Sequence, residues 1–515
     1  MIRIREIQKR HENEKLIVFS NLDIDGKDFE LRVVIYDKEY HQYAVTDRAD
    51  AFLWAVLPYA MRHGHDIVCD NEVTGKFLFN LETQYITTIA KGDKNFYAPK
   101  ITAKTTDAPC EVGTAVATGL SCGVDCLYSV IEAYKNKTSP NLALTHFCVF
   151  NQGAFGGSYY SSNRDFAVKK LFEKEKALAD ELGLPIIELA NNLESLMKIP
   201  YDQFIVYSMG MLILTISKLI GVYHYSSSGG DYGDFSVENL SKRDISYADL
   251  LNLSCLSFGS TYFYSAGGAK TRFEKMQTIA NHHLTKKHLF SCLNYTFNCG
   301  VCPKCYRNLL TLDALGLLDE YRNIFDIDAY KKNRNKALEY LVGEVVSHGY
   351  SYAYLIDVYN AIKEREPQTI AAIENGLNFS KAISERNSYK SLAVIRRCII
   401  RAYKTLALDA EVQKAKNWFV SKNIKNVILY SYSGATDIIV NYNQKFGISI
   451  DYIVEDVKEK RMIPRLPVST VEYPKTDAII ICDISNPEIV MKKLKERTNI
   501  PCYYASEFLD LRDAF

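Results

Sequence analysis

Between residues 114 and 225, short apolar runs alternate with helical stretches, and this alternation constrains the fold more than any other feature. Thr114–Leu120, Leu142–Phe150, Leu184–Leu189 and Gly221–Tyr225 read as strands. A helix follows Gly123, with Val124, Leu127, Tyr128, Ile131 and Tyr134 near helical spacing. A charged helix is expected over about Arg164–Leu182 and an apolar one over Phe204–Leu219. Such alternation implies a parallel sheet with right-handed crossovers. Ligands of these sheets bind beyond the carboxyl ends of the strands. Three turns follow strands here, at 121–126, at the glycine-rich 151–158 and at the Ser/Gly run 226–230. They are expected to line one crevice.

The first turn is the most informative. Gly119-Leu120-Ser121-Cys122-Gly123-Val124-Asp125-Cys126 joins a buried strand to an amphipathic helix. A tight strand–loop–helix aims backbone N–H groups and a helix N-terminus at one point, an arrangement suited to phosphate. An ordinary strand-to-helix turn is the plainer alternative.

A second signal lies far downstream. Cys292, Cys299, Cys302 and Cys305 fall within fourteen positions, with two Cys-x-x-Cys steps sharing Cys302. Four thiolates crowded this closely suit tetrahedral metal coordination. Zinc is expected, because a closed four-sulfur site needs no redox partner. An iron–sulfur cluster and four unliganded core cysteines are the alternatives. Nearby, Arg272 and Lys275 could reach a phosphate or a substrate carboxylate, or stand as solvated helix ends. His282, His283 and His288 read as an exposed cluster, or as a proton carrier or metal ligand.

The order Ser-x-Gly-x-Asp-x resembles the PP-loop, Ser-Gly-Gly-x-Asp-Ser/Thr, of the ATP pyrophosphatases, which split ATP into AMP and pyrophosphate. With the late cysteine motif, residues of about 113–320 resemble the 7-cyano-7-deazaguanine synthases, which turn a deazapurine carboxylate into a nitrile with ATP and ammonia. The resemblance implies an adenine nucleotide alpha hydrolase-like parallel sheet and the cofactors ATP, Mg²⁺ and Zn²⁺. It puts ATP over Ser121, Cys122, Gly123, Val124, Asp125 and Cys126, with Ser121 and Asp125 in catalytic roles and Mg²⁺ on Asp125. It puts zinc on the four cysteines. Cys122 stands where that family has Gly, and Cys126 where it has Ser or Thr, so another acceptor is expected. The activity implied is that of an AMP- and pyrophosphate-forming C–N ligase acting on a small molecule. One alternative is sulfur transfer through a persulfide on Cys126 or Cys122; Cys126, near a helix N-terminus, is expected to have a depressed pKa, which favours it. Another is a nucleotide sensor without turnover.

The remaining chain frames this region. Residues 1–112 are expected as a separate α+β domain and 113–327 as the nucleotide domain. Residues 328–422 should form a helical bridge, and 423–515 a Rossmann-like α/β domain. In the first domain, Leu16–Ser20 and Phe29–Ile35 read as strands. A helix over Asp47–His63 should be capped by Asp47 or Asp50 and kinked or cut short at Pro58. In the last, Ser431, Ser433 and Thr436 replace the glycines of a dinucleotide fingerprint, and Glu455 and Asp456 lie near its ribose acid. In the bridge, Leu392, Ala393, Ile395, Ile399 and Ile400 supply apolar packing positions. A formal charge of +1 gives no global pull on nucleic acid or membrane. The apolar run Phe204–Tyr223 carries Ser208, Thr215, Ser217 and Lys218, which argues for a buried helix and strand. Thirteen irregularly spaced cysteines argue for a reducing, cytoplasmic setting. The partners expected are a small-molecule substrate and a second copy of the chain.

Overall fold

The structure is a computed structural model. It describes residues 1–152, 164–199, 203–228, 231–237, 248–292, 297–347, 354–376, 409–430, 434–454, 465–466, 470, 472–482 and 487–509. Gly153–Ser158, Gly229–Gly230, Leu392, Ala393, Ile395, Ile399, Ile400, Ser431, Ser433, Glu455 and Asp456 lie outside the described residues. The chain divides into two compact units. The first holds the described residues from Met1 to Gly376, save Arg164; the second holds those from Asp409.

An eleven-stranded sheet runs through the first unit. Its N-terminal strands are β1 (Ile2–Ile4), β2 (Gln8–Glu12), β3 (Lys15–Ile24), β4 (Lys27–Ile35), β5 (Ile67–Cys69) and β6 (Ile101–Thr102). The others are β7 (Ala115–Gly119), β8 (His146–Asn151), β9 (Ile186–Asn191), β10 (Ile220–Ser226) and β11 (Tyr262–Ala266). The order is β11-β10-β7-β8-β9-β4-β3-β1-β5-β6, with β2 paired to β3. The five strands from β11 to β9 are mutually parallel. The first of them, β7, lies in the middle, with later strands added on both sides. The chain thus reverses its direction of winding at the carboxyl end of β7, where doubly wound sheets bind ligands.

Residues 1–112 do not stand apart. The outer edge of β9 pairs antiparallel with β4, Leu189 opposite Ile35 and Asn191 opposite Val33. An open β9 edge would expose a row of unpaired backbone groups, and β4 removes it. Helices join the two regions as well. α1 (Asp50–His63) packs on the apolar helix Ile205–Thr215, and Trp54 Nε1 donates to the Val206 carbonyl at 3.2 Å. One hydrophobic core therefore contains Ile2, Leu31, Trp54, Ala117, Leu189 and Met211 together.

Local expectations for α1 are corrected. Pro58 sits inside the helix, which continues to His63 and ends on Gly64 at φ +67°. Neither aspartate caps it. The N-cap is Ala49, and Asp50 instead accepts from the Thr74 amide at 2.8 Å and the Thr74 hydroxyl at 2.6 Å. Leu78–Ile86, whose sequence mixes strand and helix signals, lies within a helical run from Gly75 to Gly92 with a π turn at Leu81–Tyr85.

The expected bridge is divided. Helices Arg334–Ser347, Ile356–Arg365 and Pro367–Gly376 belong to the first unit, whereas Asp409–Ser421 belongs to the second. There Phe419 packs with Val427 and Leu429 beneath a five-stranded sheet whose pairs are all parallel. Its first strand, Asn426–Tyr430, is central, and Gly434–Phe446 is the helix that follows. No described helix is long and apolar enough to cross a membrane.

Candidate functional site

The loop after β7 is shaped by close packing. A Cβ on Gly119 would come within 3.0 Å of the Tyr223 hydroxyl. The Leu120 amide then donates to the Cys148 carbonyl at 2.8 Å, holding the loop to β8. Cys122 adopts φ +56° with its thiol buried. That left-handed conformation costs a residue other than glycine about 1–2 kcal/mol. Gly123 follows as the N-cap of α2 (Val124–Ala133). Cys122→Gly is therefore expected to change unfolding free energy by less than about 1 kcal/mol, relieved backbone offsetting lost burial. Cys122→Val, β-branched at the same φ, should cost more than about 2 kcal/mol. Urea unfolding of the wild type and both variants checks this.

The loop amides are partly turned inward. The Ser121 amide donates to the Cys126 sulfur at 3.4 Å, and the Cys122 amide lies close enough to act on the same sulfur. Burial pushes the Cys126 thiol up to about 11 despite these amides, and burial raises Cys122 well above its ordinary value. The depressed thiol expected at the helix N-terminus is thus overturned, because desolvation outweighs the helix end. Behind the loop lies Glu175, on the helix Arg164–Leu182. Its carboxyl is buried and pushed up to about 8, chiefly by burial and then by the charge of Glu188. Nothing in its sequence context distinguished it from the exposed acids of the same helix.

The first turn of α2 meets the cations. Arg272 approaches the Asp125 carboxylate through Nη2 at one oxygen and Nε at 3.4 Å from the other. Lys275 Nζ lies 3.6 Å from Asp125 Oδ1 and donates to the Ser227 carbonyl at 2.7 Å. Lys275 is completely buried and Arg272 largely so; neither is a solvated helix end. Both sit on α3 (Arg272–Ile279), begun by a capping box in which Thr271 and Glu274 satisfy each other's amides. Gly267, at φ +74°, makes the approach feasible: a Cβ there would meet Lys275 Cε at 2.7 Å and the Tyr128 ring at 2.9 Å.

The four cysteines converge. The Sγ atoms of Cys292, Cys299, Cys302 and Cys305 all lie within 4.8 Å of one another, and Cys299 and Cys305 are 3.9 Å apart. A tetrahedron with metal–sulfur bonds near 2.3 Å needs sulfur separations of about 3.8 Å, so the quartet could hold a metal ion. Amides also point at the sulfurs: Cys302 N–H to Cys299 Sγ at 3.4 Å and Cys305 N–H to Cys302 Sγ at 3.5 Å. Gly300, at φ +74°, permits the tight turn between the first pair. Cys302 caps α4 (Pro303–Ala314), with Pro303 at its first position. This centre is fastened to the loop, since the Phe290 amide donates to the Cys122 carbonyl at 2.8 Å. Asn308 on α4 in turn holds Ser291 at 2.7 Å.

No family model, curated protein or solved structure matches this chain.

Asp125 does not fit the role of a Mg²⁺ ligand. Both of its oxygens already face a guanidinium or an ammonium, and a divalent cation added there would meet two positive charges. Three further residues escaped sequence reading. Tyr354 lies under the guanidiniums of Arg272 and Arg307, at 4.9 and 5.2 Å from its ring centre. Lys304 faces solvent within the field of Arg307, Arg272 and Asp125. Lys304 and Arg307 are one turn apart on α4, and the Cys-Pro-Lys-Cys spacing was the only hint of them. Tyr354 carried no local signal at all. The histidines serve elsewhere. His282 caps the short helix His283–His288, while His288 lies 2.8 Å from Glu181 on the charged helix. Hydrogen bonds from Lys287 and His288 hold that Glu181 carboxyl down to about 2.

Proposed function

We propose that the chain is an ATP-dependent ligase that forms AMP and pyrophosphate while joining a small-molecule carboxylate to ammonia or another amine. One observation carries this reading. Asp125, Arg272 and Lys275 meet at the carboxyl end of the central strand, and a four-cysteine centre is bolted to the same loop. Arg272 and Lys275 meet Asp125, Lys304 lies in the field of the same carboxylate, and Arg307 shares the Tyr354 ring with Arg272, a gathering of cations that suits a polyanion. The substrate carboxylate oxygen would bond to the α-phosphorus as its bond to pyrophosphate breaks, giving an acyl adenylate. The amine would then bond to the acyl carbon, releasing AMP and a proton. Arg272 and Lys275 would stabilise the charge that develops on the phosphates and align the attack. Zinc on the cysteines would be structural, a closed four-sulfur site holding α4 and the segment through Phe290.

The nucleotide-sensor reading keeps one observation in its favour, the two loop amides turned onto Cys126. Sulfur transfer loses its motive, since both loop thiols are buried and hard to ionise. The test is release of AMP and pyrophosphate from ATP across a panel of carboxylates with ammonia as donor. At least one acceptor should trigger release, and Arg272→Gln should lower turnover by about a hundredfold. ATP binding without release for any acceptor would overturn the ligase in favour of the sensor.

A further inference from the structure

A cavity of about 200 Å³ lies at the edge of the sheet opposite the loop. Part of its lining comes from residues just before three strands: Glu111 before β7, Ser217 and Lys218 before β10, and Ser260 before β11. It is therefore separate from the site at Asp125, which lies beyond the carboxyl end of β7. Arg48 and Cys110 line it as well. Cys110 is half-buried, and its sulfur lies 3.0 Å from Arg48 Nη1. Arg48 is held in place, since Nη1 also donates to the Thr74 hydroxyl at 3.1 Å and Nη2 to the Ala108 carbonyl at 2.8 Å. A guanidinium fixed against a sulfur steadies negative charge on it during attack. The cavity itself lacks partners for two polar groups. Ser217 and Ser260 are only 6% and 4% exposed, and no described residue hydrogen-bonds to either hydroxyl. Buried hydroxyls in such a position are satisfied by water or by a ligand. The charges of the lining are close to balance. Arg48 has Asp47 3.9 Å from Nε, Lys218 has Glu111 at 3.8 Å, and Asp50 lies beyond Thr74. A neutral polar ligand suits these surroundings better than an ion does.

We propose that this cavity takes small polar disulfides and that Cys110 exchanges with them to form a mixed disulfide. The Cys110 sulfur bonds to one sulfur of the disulfide as the S–S bond breaks. The second arm leaves as a thiol, carrying the proton that Cys110 gives up, and no further oxidant is consumed. Arg48 faces the attacking sulfur, and Ser217 and Ser260 offer hydroxyls to the arm that stays.

The experiment treats the full-length protein, its cysteine-bound metal retained and free reductant removed, with 2-hydroxyethyl disulfide. Samples are quenched in acid, and peptide mass spectrometry reads the adduct at each cysteine over time. Cys502 is the internal comparison. It is also half-buried, but its thiol donates to the Ile500 carbonyl at 3.3 Å. Cys110 should react about tenfold faster than Cys502, and a thiol reductant should remove the adduct. Arg48→Gln should slow Cys110 about fivefold or more and leave Cys502 unchanged. Ser217→Ala combined with Ser260→Ala should slow Cys110 about threefold. Adducts on buried Cys148 would identify a variant that has unfolded, and the wild-type ratio and the serine pair then decide. A Cys110 no faster than Cys502 would overturn the inference. So would a fast Cys110 that neither the arginine nor the serine variants slow, because exposure alone would then account for its reaction.

Discussion

Protein purified without added metal should contain about one zinc per chain, and Cys302→Ser should lose that zinc and much of the stability of the first unit. Cys302 has two jobs. It is one corner of the quartet, and its sulfur accepts the Cys305 amide at the start of α4. A serine hydroxyl is a poor partner for a metal chosen by thiolates. Structural zinc contributes folding free energy directly, on the order of 10 kcal/mol in isolated zinc modules. In a larger core only part of that is at stake. A loss of several kcal/mol, and a fall in melting temperature of about 10 °C or more, is expected. The damage should also reach the loop. α4 carries Lys304 and Arg307, and Phe290 ties the centre to Cys122. Tripolyphosphate binding should therefore weaken in Cys302→Ser together with stability. Elemental analysis and thermal unfolding read the first two effects. Iron with visible absorbance would replace zinc in this account, and a metal-free, fully stable protein would remove the centre from it.

Stability should also fall as the pH rises from about 4.5 to about 8, and Glu175→Gln should remove much of that fall. The folded Glu175 carboxyl is raised from 4.5 to about 8 by burial, then by the charge of Glu188. The folded state thus holds a proton that the unfolded chain has already released. Below the unfolded value both states are protonated, and there is no penalty. Above the folded value both are ionised, and the folded state bears a buried charge. Between these limits the cost grows, reaching on the order of 4 kcal/mol. Asp50, buried and raised to about 6, adds a smaller fall of the same sign at lower pH. Glu181, held down near 2, acts oppositely and only in stronger acid. Protonation of the cysteine thiolates would likewise release metal at low pH. Comparing wild type with Glu175→Gln at each pH cancels these shared contributions. At pH 8 the glutamine variant should be the more stable by a few kcal/mol. Equal stability of the two at pH 8, measured by urea unfolding, would show that Glu175 is charged without cost.

Much of this protein was legible before any coordinates. The charged helix falls at Arg164–Leu182 as its pattern predicted, and the strands at 115–119, 146–151, 186–191 and 220–226 fall within a few residues of their expected places. Periodicity reports which face of an element is buried, and that is a local property. The cysteine quartet was equally plain from its spacing, and the fold brings its four sulfurs within 4.8 Å of one another. The glycines could be noticed but not interpreted. Gly267 matters only because Lys275 and Tyr128 pass across it.

What the tertiary structure decided concerns partners distant in the chain. Whether residues 1–112 form a domain depended on the edge of β9, which β4 covers from about 150 positions away. A strand's own residues do not say which strand completes its edge. Asp125 reads as a metal ligand when only its loop is considered, and becomes the counter-ion of Arg272 and Lys275 when the chain returns after 147 residues. Cys126 follows the same logic. Its place at a helix N-terminus pointed to a reactive thiol, but burial, set by everything packed around it, raised its pKa instead. Local pattern determined the elements and the candidate ligands. Charge, exposure and pairing came from what the fold brought beside them, because desolvation and Coulomb energy depend on the whole surroundings of a group.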